Sequence, residues 1–551
     1  MAPHRVCSIC MASRRGIPPI AVALFGAFIV AGCSDSTPGD QENGGTQGEE
    51  DGNPAELTPA RGISIAEVEI NQGTRVPIGI EDGQWVGGAD RLGFLIASRD
   101  SLMRIHYTVD EDWVPREIDA RLTLRFPDGS EVTLTDRRMV EHDSIAKNFN
   151  GPFWFGLAAS DGYTVAGTEY QIELWEVTPG AGDAYEEGAN VNPAEGSRLI
   201  GFELVPMEIK SLLVPITYNG TTANLDEATT ETVLDNLYEQ NPATAILYDV
   251  HEPYVYSQQL TDLGQLLPVM ASLRAMENAE PNLYYHALVN VGSQSLAQTL
   301  GISYLANDQK TDANRRVSAT VLWEPNPSIA ADTYTHETGH AQGRNHTECP
   351  NRNAAGPDPM YPHDNGRIGN WGFGIRRFLM YDPDDAFDYM SYCSPSWVSD
   401  WTWNKTYARI KTLTSWDYEG PSPDAQPMED MLFGAIYPDG RTEWWTMPSA
   451  VDPDRLSSSD LVEFELEGGE IIEAYAEVSR LSHGEVYWVS APLPEQRESI
   501  SDIRLVRNGE AQPVPTTALD IGTALDTTQL DPQWRPHWKA YTGRGIDLRG
   551  L

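Results

Sequence analysis

Residues 336–346 read His336-Glu337-Thr338-Gly339-His340-Ala341-Gln342-Gly343-Arg344-Asn345-His346. On an α-helix, residues four apart share a face, so the imidazoles of His336 and His340 project side by side and can bind one ion. Glu337 lies next to that face, where a carboxylate can act as general base toward water on the ion. Gly343 can adopt a positive φ, ending the helix and turning the chain sharply. That turn brings back His346 as a third nitrogen and keeps a fourth position open for water, as catalytic rather than structural zinc requires. Neutral imidazoles suit Zn2+, although copper or cobalt can occupy the same nitrogens in vitro. The bland alternative is a helix with satisfied surface histidines. The full pattern is far more specific than a bare His-Glu-x-x-His.

As it stands here, His-Glu-x-x-His-x-x-Gly-x-x-His resembles the pattern of the metzincin clan of zinc metallopeptidases. Downstream, Asp388-Tyr389-Met390-Ser391-Tyr392-Cys393 looks like the clan's Met-turn, with Met390 as the methionine beneath the metal. The resemblance covers roughly residues 210–415. It implies a zinc endopeptidase with His336, His340 and His346 as ligands and Glu337 as base. In astacin-like and serralysin-like members the tyrosine two places after the methionine approaches the metal, and Tyr392 holds that place. By resemblance Tyr392 stabilises the oxyanion; its plainer reading is a core tyrosine packed under the site. The stretch between His346 and Met390 is longer than in compact members. It contains Pro357-Asp358-Pro359, Asp364-Asn365-Gly366 and Trp371-Gly372, which suggest a long structured loop near the cleft. Large secreted bacterial members, including the mucin-cleaving and pappalysin-like types, carry such insertions.

Of the 5 cysteines, Cys7, Cys10 and Cys33 lie in the first 33 positions. Cys349 and Cys393 remain, an even pair suited to one disulfide in an oxidising compartment. On the clan fold both fall near the zinc, and their bridge ties the ligand loop to the Met-turn. A thiol ligand to zinc is the rival reading, and three histidines already suffice. No cysteine remains to serve as an inhibitory thiolate. Asp382, Asp384, Asp385 and Asp388 are the candidates for calcium beside the Met-turn. Their spacing matches no calcium loop, so a solvated acidic turn is the reading. His251 with Glu252, and His363 with Asp364, read as isolated pairs on loops.

These residues need elements to hold them. Leu212-Leu213-Val214, Ala245–Tyr248, Tyr284–Val289 and Val317–Trp323 read as strands, alternating with helices around Val233–Tyr238 and Leu263–Met276. Val317–Trp323 is the expected sheet edge along which an extended substrate adds a strand. Before this layer, period-two alternation at Met103–Val109, Leu122–Phe126 and Tyr170–Leu174 indicates antiparallel sheets, with Pro127-Asp128-Gly129-Ser130 as a turn. Alternation returns at Val462–Leu466, Val486–Val489 and Ile503–Val506. The expected fold class is therefore α+β and multidomain. A metzincin-like domain, a twisted mixed sheet plus active-site helix, spans 208–420, flanked by β-sandwich-like domains at 63–207 and 424–551.

Arg14 and Arg15 precede an apolar run, Ile17–Val30, too short to span a bilayer comfortably. It ends in Val30-Ala31-Gly32-Cys33, which looks like the lipobox of bacterial lipoproteins, with Cys33 as the lipidated residue. Residues 34–62, acidic and without aromatic side chains, suit a flexible tether. The expected location is the bacterial cell envelope, lipid-anchored, with the outer membrane or cell surface favoured by Ser34, or secreted. With 38 Lys+Arg against 81 Asp+Glu and a net charge of −43, the chain repels phosphate backbones and anionic lipid. Nucleic acid is excluded as a partner, and a membrane is met only through the anchor. The expected substrate is a protein or glycoprotein. The competing function is a surface-anchored binding or adhesion lipoprotein with a vestigial metal site, against which the intact Glu337 speaks.

Overall fold

The computed structural model describes residues 58–543 apart from 295, 297–298, 325, 351, 353, 355, 420–427, 438–439, 451–455, 483–485, 520–528 and 530. Cys33, the leader and nearly all of the expected tether lie outside the described residues. What is described is mixed α+β, mostly sheets with few helices.

Strands β1 (Ile63–Asn71), β2 (Arg75–Ile80), β3 (Ser101–Val109), β4 (Arg116–Arg125), β5 (Glu131–Val140), β6 (Phe153–Leu157) and β7 (Glu169–Glu176) form two antiparallel sheets. One contains the order β2-β1-β3-β6 and the other β7-β4-β5. Alternate residues along a strand face opposite sides. Ile63, Ile65, Met103 and Ile105 of the first sheet therefore meet Leu122, Leu124, Tyr170 and Ile172 of the second in one core.

The central layer is built from β8 (Glu208–Tyr218), α1 (Glu227–Gln240), β9 (Ala245–Val250), α2 (Leu266–Met276), β10 (Leu283–Val289), β11 (Gly301–Ser303), β12 (Val317–Val321), α3 (Pro327–Ala341) and α4 (Asp400–Ser415). Its strands are apolar on both faces because both are covered. Leu213 and Leu288 pack with Val233 and Leu234 of α1, Ala330 and Tyr334 of α3 and Ile410 of α4. Leu212, Val214 and Val289 point the other way, onto Leu266, Val269 and Met270 of α2. Helix α1 starts where Asp226 accepts the Thr229 N–H at 2.9 Å.

A carboxy-terminal sheet follows, from β13 (Met428–Ile436), β14 (Thr442–Ala450), β15 (Ser457–Leu466), β16 (Ile471–Arg480), β17 (Tyr487–Pro492), β18 (Ile500–Arg507) and β19 (Glu510–Val514). Phe433, Trp445 and Trp488 seat it on the α2 face of the central layer. The chain then returns, and β20 (Lys539–Tyr541) pairs antiparallel with β9.

The central sheet has the order β11-β12-β10-β8-β9-β20. Its four inner strands are parallel and its two edge strands antiparallel. The expected edge is thereby corrected: Val317–Val321 is interior, bonded to β10 on one side and β11 on the other. The true edge is Gly301–Ser303, too short to show any periodicity in the sequence.

Candidate metal centre

Pro327 opens α3 at its first helical position, where a missing N–H leaves no bond unmade. The helix packs against both α1 and the sheet, and its last two turns are buried, His336, Glu337 and His340 included. Its end is a Schellman turn: the Arg344 N–H donates to the Gly339 carbonyl at 2.9 Å and the Gly343 N–H to that of His340 at 2.7 Å. Gly343 has φ +80°, and a Cβ there would also meet the Ala306 carbonyl oxygen at 2.6 Å. Glycine is required, and the reversal it permits returns His346 to the other two rings.

The Nε2 atom of His340 lies 3.1 Å from that of His336 and 3.1 Å from that of His346. The far nitrogens explain this convergence. His336 Nδ1 lies 2.7 Å from the Tyr389 carbonyl oxygen, and His340 Nδ1 lies 2.6 Å from that of Arg344. A carbonyl only accepts, so both Nδ1 atoms carry the proton and both Nε2 atoms turn bare lone pairs toward the centre. Lone pairs at that spacing repel unless a positive charge lies among them. The donor set therefore fits a cation that prefers imidazole nitrogen, and Zn2+ is the natural choice.

The turn below is built to support this. Gly339 stands over Met390, whose sulfur a Cβ at 339 would meet at 2.4 Å. Asp388, fully buried, accepts the N–H groups of Met390 at 2.8 Å and Ser399 at 3.1 Å. The Met390 carbonyl accepts the Thr347 N–H at 3.0 Å, and the neighbouring Tyr389 carbonyl orients His336. Cys349 and Cys393 form a disulfide with Cα atoms 5.5 Å apart, joining the ligand loop to this turn. Closing a loop of this size stabilises by about 3–4 kcal/mol. The Tyr392 ring centre lies 4.6 Å from that of His346 and 6.1 Å from that of His336.

Glu337 is fully buried, and burial pushes its carboxyl up to about 8 against the lowering effects of His336 and a hydrogen bond from Ser482. A cation on the adjacent imidazoles pulls such a carboxyl back down. Ser482 was invisible to sequence reasoning. It lies 145 residues from Glu337, in the turn after β16, and its hydroxyl reaches Glu337 Oε2 at 3.3 Å. No motif marks it.

Other candidates resolve differently. Among the described residues a second group of possible ligands converges, Glu67, Glu69 and His106. The four aspartates read as a calcium candidate do not converge: Asp382 accepts from Lys147 at 2.8 Å while Asp388 caps the turn. The side-chain acids that His251 and His363 meet are distant in sequence, namely Glu277 at 2.8 Å and Asp400 at 2.6 Å, while His251 Nδ1 lies 2.6 Å from the Glu252 backbone carbonyl oxygen.

No family model matches this chain, and no curated protein matches it. Among solved structures, "Crystal structure of putative beta-galactosidase from bacteroides fragilis" aligns over 83% of this chain and 72% of that chain, at 9% identity and a TM-score of 0.12. A likeness of that size carries no argument about fold or function.

Proposed function

We propose that the chain is a zinc-dependent endopeptidase of metzincin-like design that hydrolyses peptide bonds of extracellular proteins or glycoproteins. The observation that carries this reading is the meeting of three imidazole Nε2 atoms, those of His336 and His346 each 3.1 Å from that of His340, beside the buried carboxylate of Glu337. What a Zn2+ ion supplies there when bound is Lewis acidity toward water and a scissile carbonyl. Glu337 takes the proton of the attacking water and delivers it to the leaving amine. Tyr392, beside His346, donates its phenolic hydrogen to the developing oxyanion. An extended substrate main chain lies along β11, the edge nearest Glu337. Lipidation at Cys33 holds the enzyme in the cell envelope.

Glu337→Ala tests the reading. Casein hydrolysis by the zinc-loaded chain is expected to fall about a thousandfold, with zinc content by elemental analysis unchanged. An undiminished rate removes Glu337 from the mechanism. Absence of any chelator-sensitive hydrolysis in the unmutated chain leaves the binding or adhesion lipoprotein with a vestigial metal site.

A further inference from the structure

An antiparallel edge strand turns alternate residues outward, with both their N–H and C=O groups unpaired. On β11 the outward residues are Gly301 and Ser303, since Leu300 bonds inward to Val321. Gly301 lies against Glu337, whose Oε1 a Cβ at 301 would meet at 2.6 Å. Ser303, however, is already engaged. Its N–H donates to Ser482 Oγ at 2.9 Å, and its carbonyl accepts the Ser482 N–H at 3.3 Å. Having accepted from Ser303, the same hydroxyl gives its hydrogen to Glu337 Oε2. Leu481 anchors the turn in the core shared with α2, and Glu477 of β16 pairs with Arg315 of the central layer. With this turn in place Glu337 is 0% exposed, and the three histidines are 8%, 1% and 1% exposed. A base and ligand set that must meet water and a polypeptide are thus shut in.

We propose that the Leu481–Ser482 turn is an autoinhibitory plug. It takes the outward hydrogen bonds of β11 that an extended protein substrate takes, and an unfolded substrate segment gains the cleft by displacing it. That the plug inhibits, and what enters in its place, rest on the endopeptidase reading; the closing of the cleft by the turn does not.

The test uses the full chain and two variants. Ser482→Pro removes the N–H and the hydroxyl; Glu477→Ala loosens the docking while leaving Ser482 and Glu337 intact. Acylation of His336, His340 and His346 by diethylpyrocarbonate reports access, and casein hydrolysis by the zinc-loaded chain reports turnover. S482P is expected to raise both about tenfold, because the bonds that favour the closed state are lost. E477A should raise both about twofold, the lesser effect of a partly exposed ion pair. Labelling that stays at the unmutated level in a cooperatively melting S482P, or in E477A should S482P not fold, overturns the plug. Labelling that rises with no hydrolysis in any variant keeps the plug and removes the peptidase.

Discussion

Among the described residues, two places bring three potential metal ligands within 4.8 Å of one another, and they are chemically opposite. At the histidine site the far nitrogens of His336 and His340 spend their protons on carbonyls, and their Nε2 lone pairs face inward beside His346 Nε2. At Glu67, Glu69 and His106 the negative charge is already answered. Arg75 Nε lies 2.8 Å from Glu69 Oε2 and Arg104 Nη1 3.2 Å from Oε1, while Arg75 also pairs with Glu67. Burial alone would raise the Glu69 carboxyl, yet His106, Arg104 and Arg75 together bring it down to about 2. Proximity of ligand types does not make a metal centre; unspent electron pairs do.

That contrast can be broken by experiment. The largest expected effect is on metal content: His340→Ala should abolish stoichiometric zinc, and His106→Ala should leave it unchanged, both read by elemental analysis. Zinc lost from H106A would merge the two sites. Glu69→Gln takes the paired carboxylate from the buried Arg104 guanidinium in the first pair of sheets, while Arg75 keeps Glu67. It should destabilise by about 3–5 kcal/mol in a denaturant melt without loss of zinc. Cys349→Ser with Cys393→Ser should cost about 3–4 kcal/mol and loosen zinc retention, whereas the Glu67 group has no such tie. The smallest effect concerns His363, whose hydrogen bond to Asp400 raises its folded-state pKa above 6.5 despite burial. A raised histidine stabilises below the unfolded value, and the increment is lost as pH rises through the folded one. The melting temperature of His363→Gln relative to the parent should therefore recover between pH 6 and 8.

Local periodicity made much of this legible. The i, i+4 histidines and the glycine turn are properties of one helix and its cap, and α3 carries them with buried rings on one side. The strand at Val317 was equally readable as a strand, but its place in the sheet was not, because lateral order depends on which segment lies outside it. That segment, Gly301–Ser303, is too short to signal itself. Ser482 was hidden for a related reason: its contact with Glu337 depends on how a whole sheet seats on α2. His251 and His363 likewise found Glu277 and Asp400 through packing, not through the acids beside them in sequence. The return of β20 to the central sheet has no local signature either.

That returning strand has a consequence for how the molecule is made. Tyr541, Ala540 and Lys539 hydrogen-bond along Ile246, Leu247 and Tyr248, closing the border of the central layer opposite β11. During synthesis or export, nearly three hundred residues emerge after β9 before its last neighbour arrives. Until then that flank of the layer keeps its backbone N–H and C=O groups open to any passing strand.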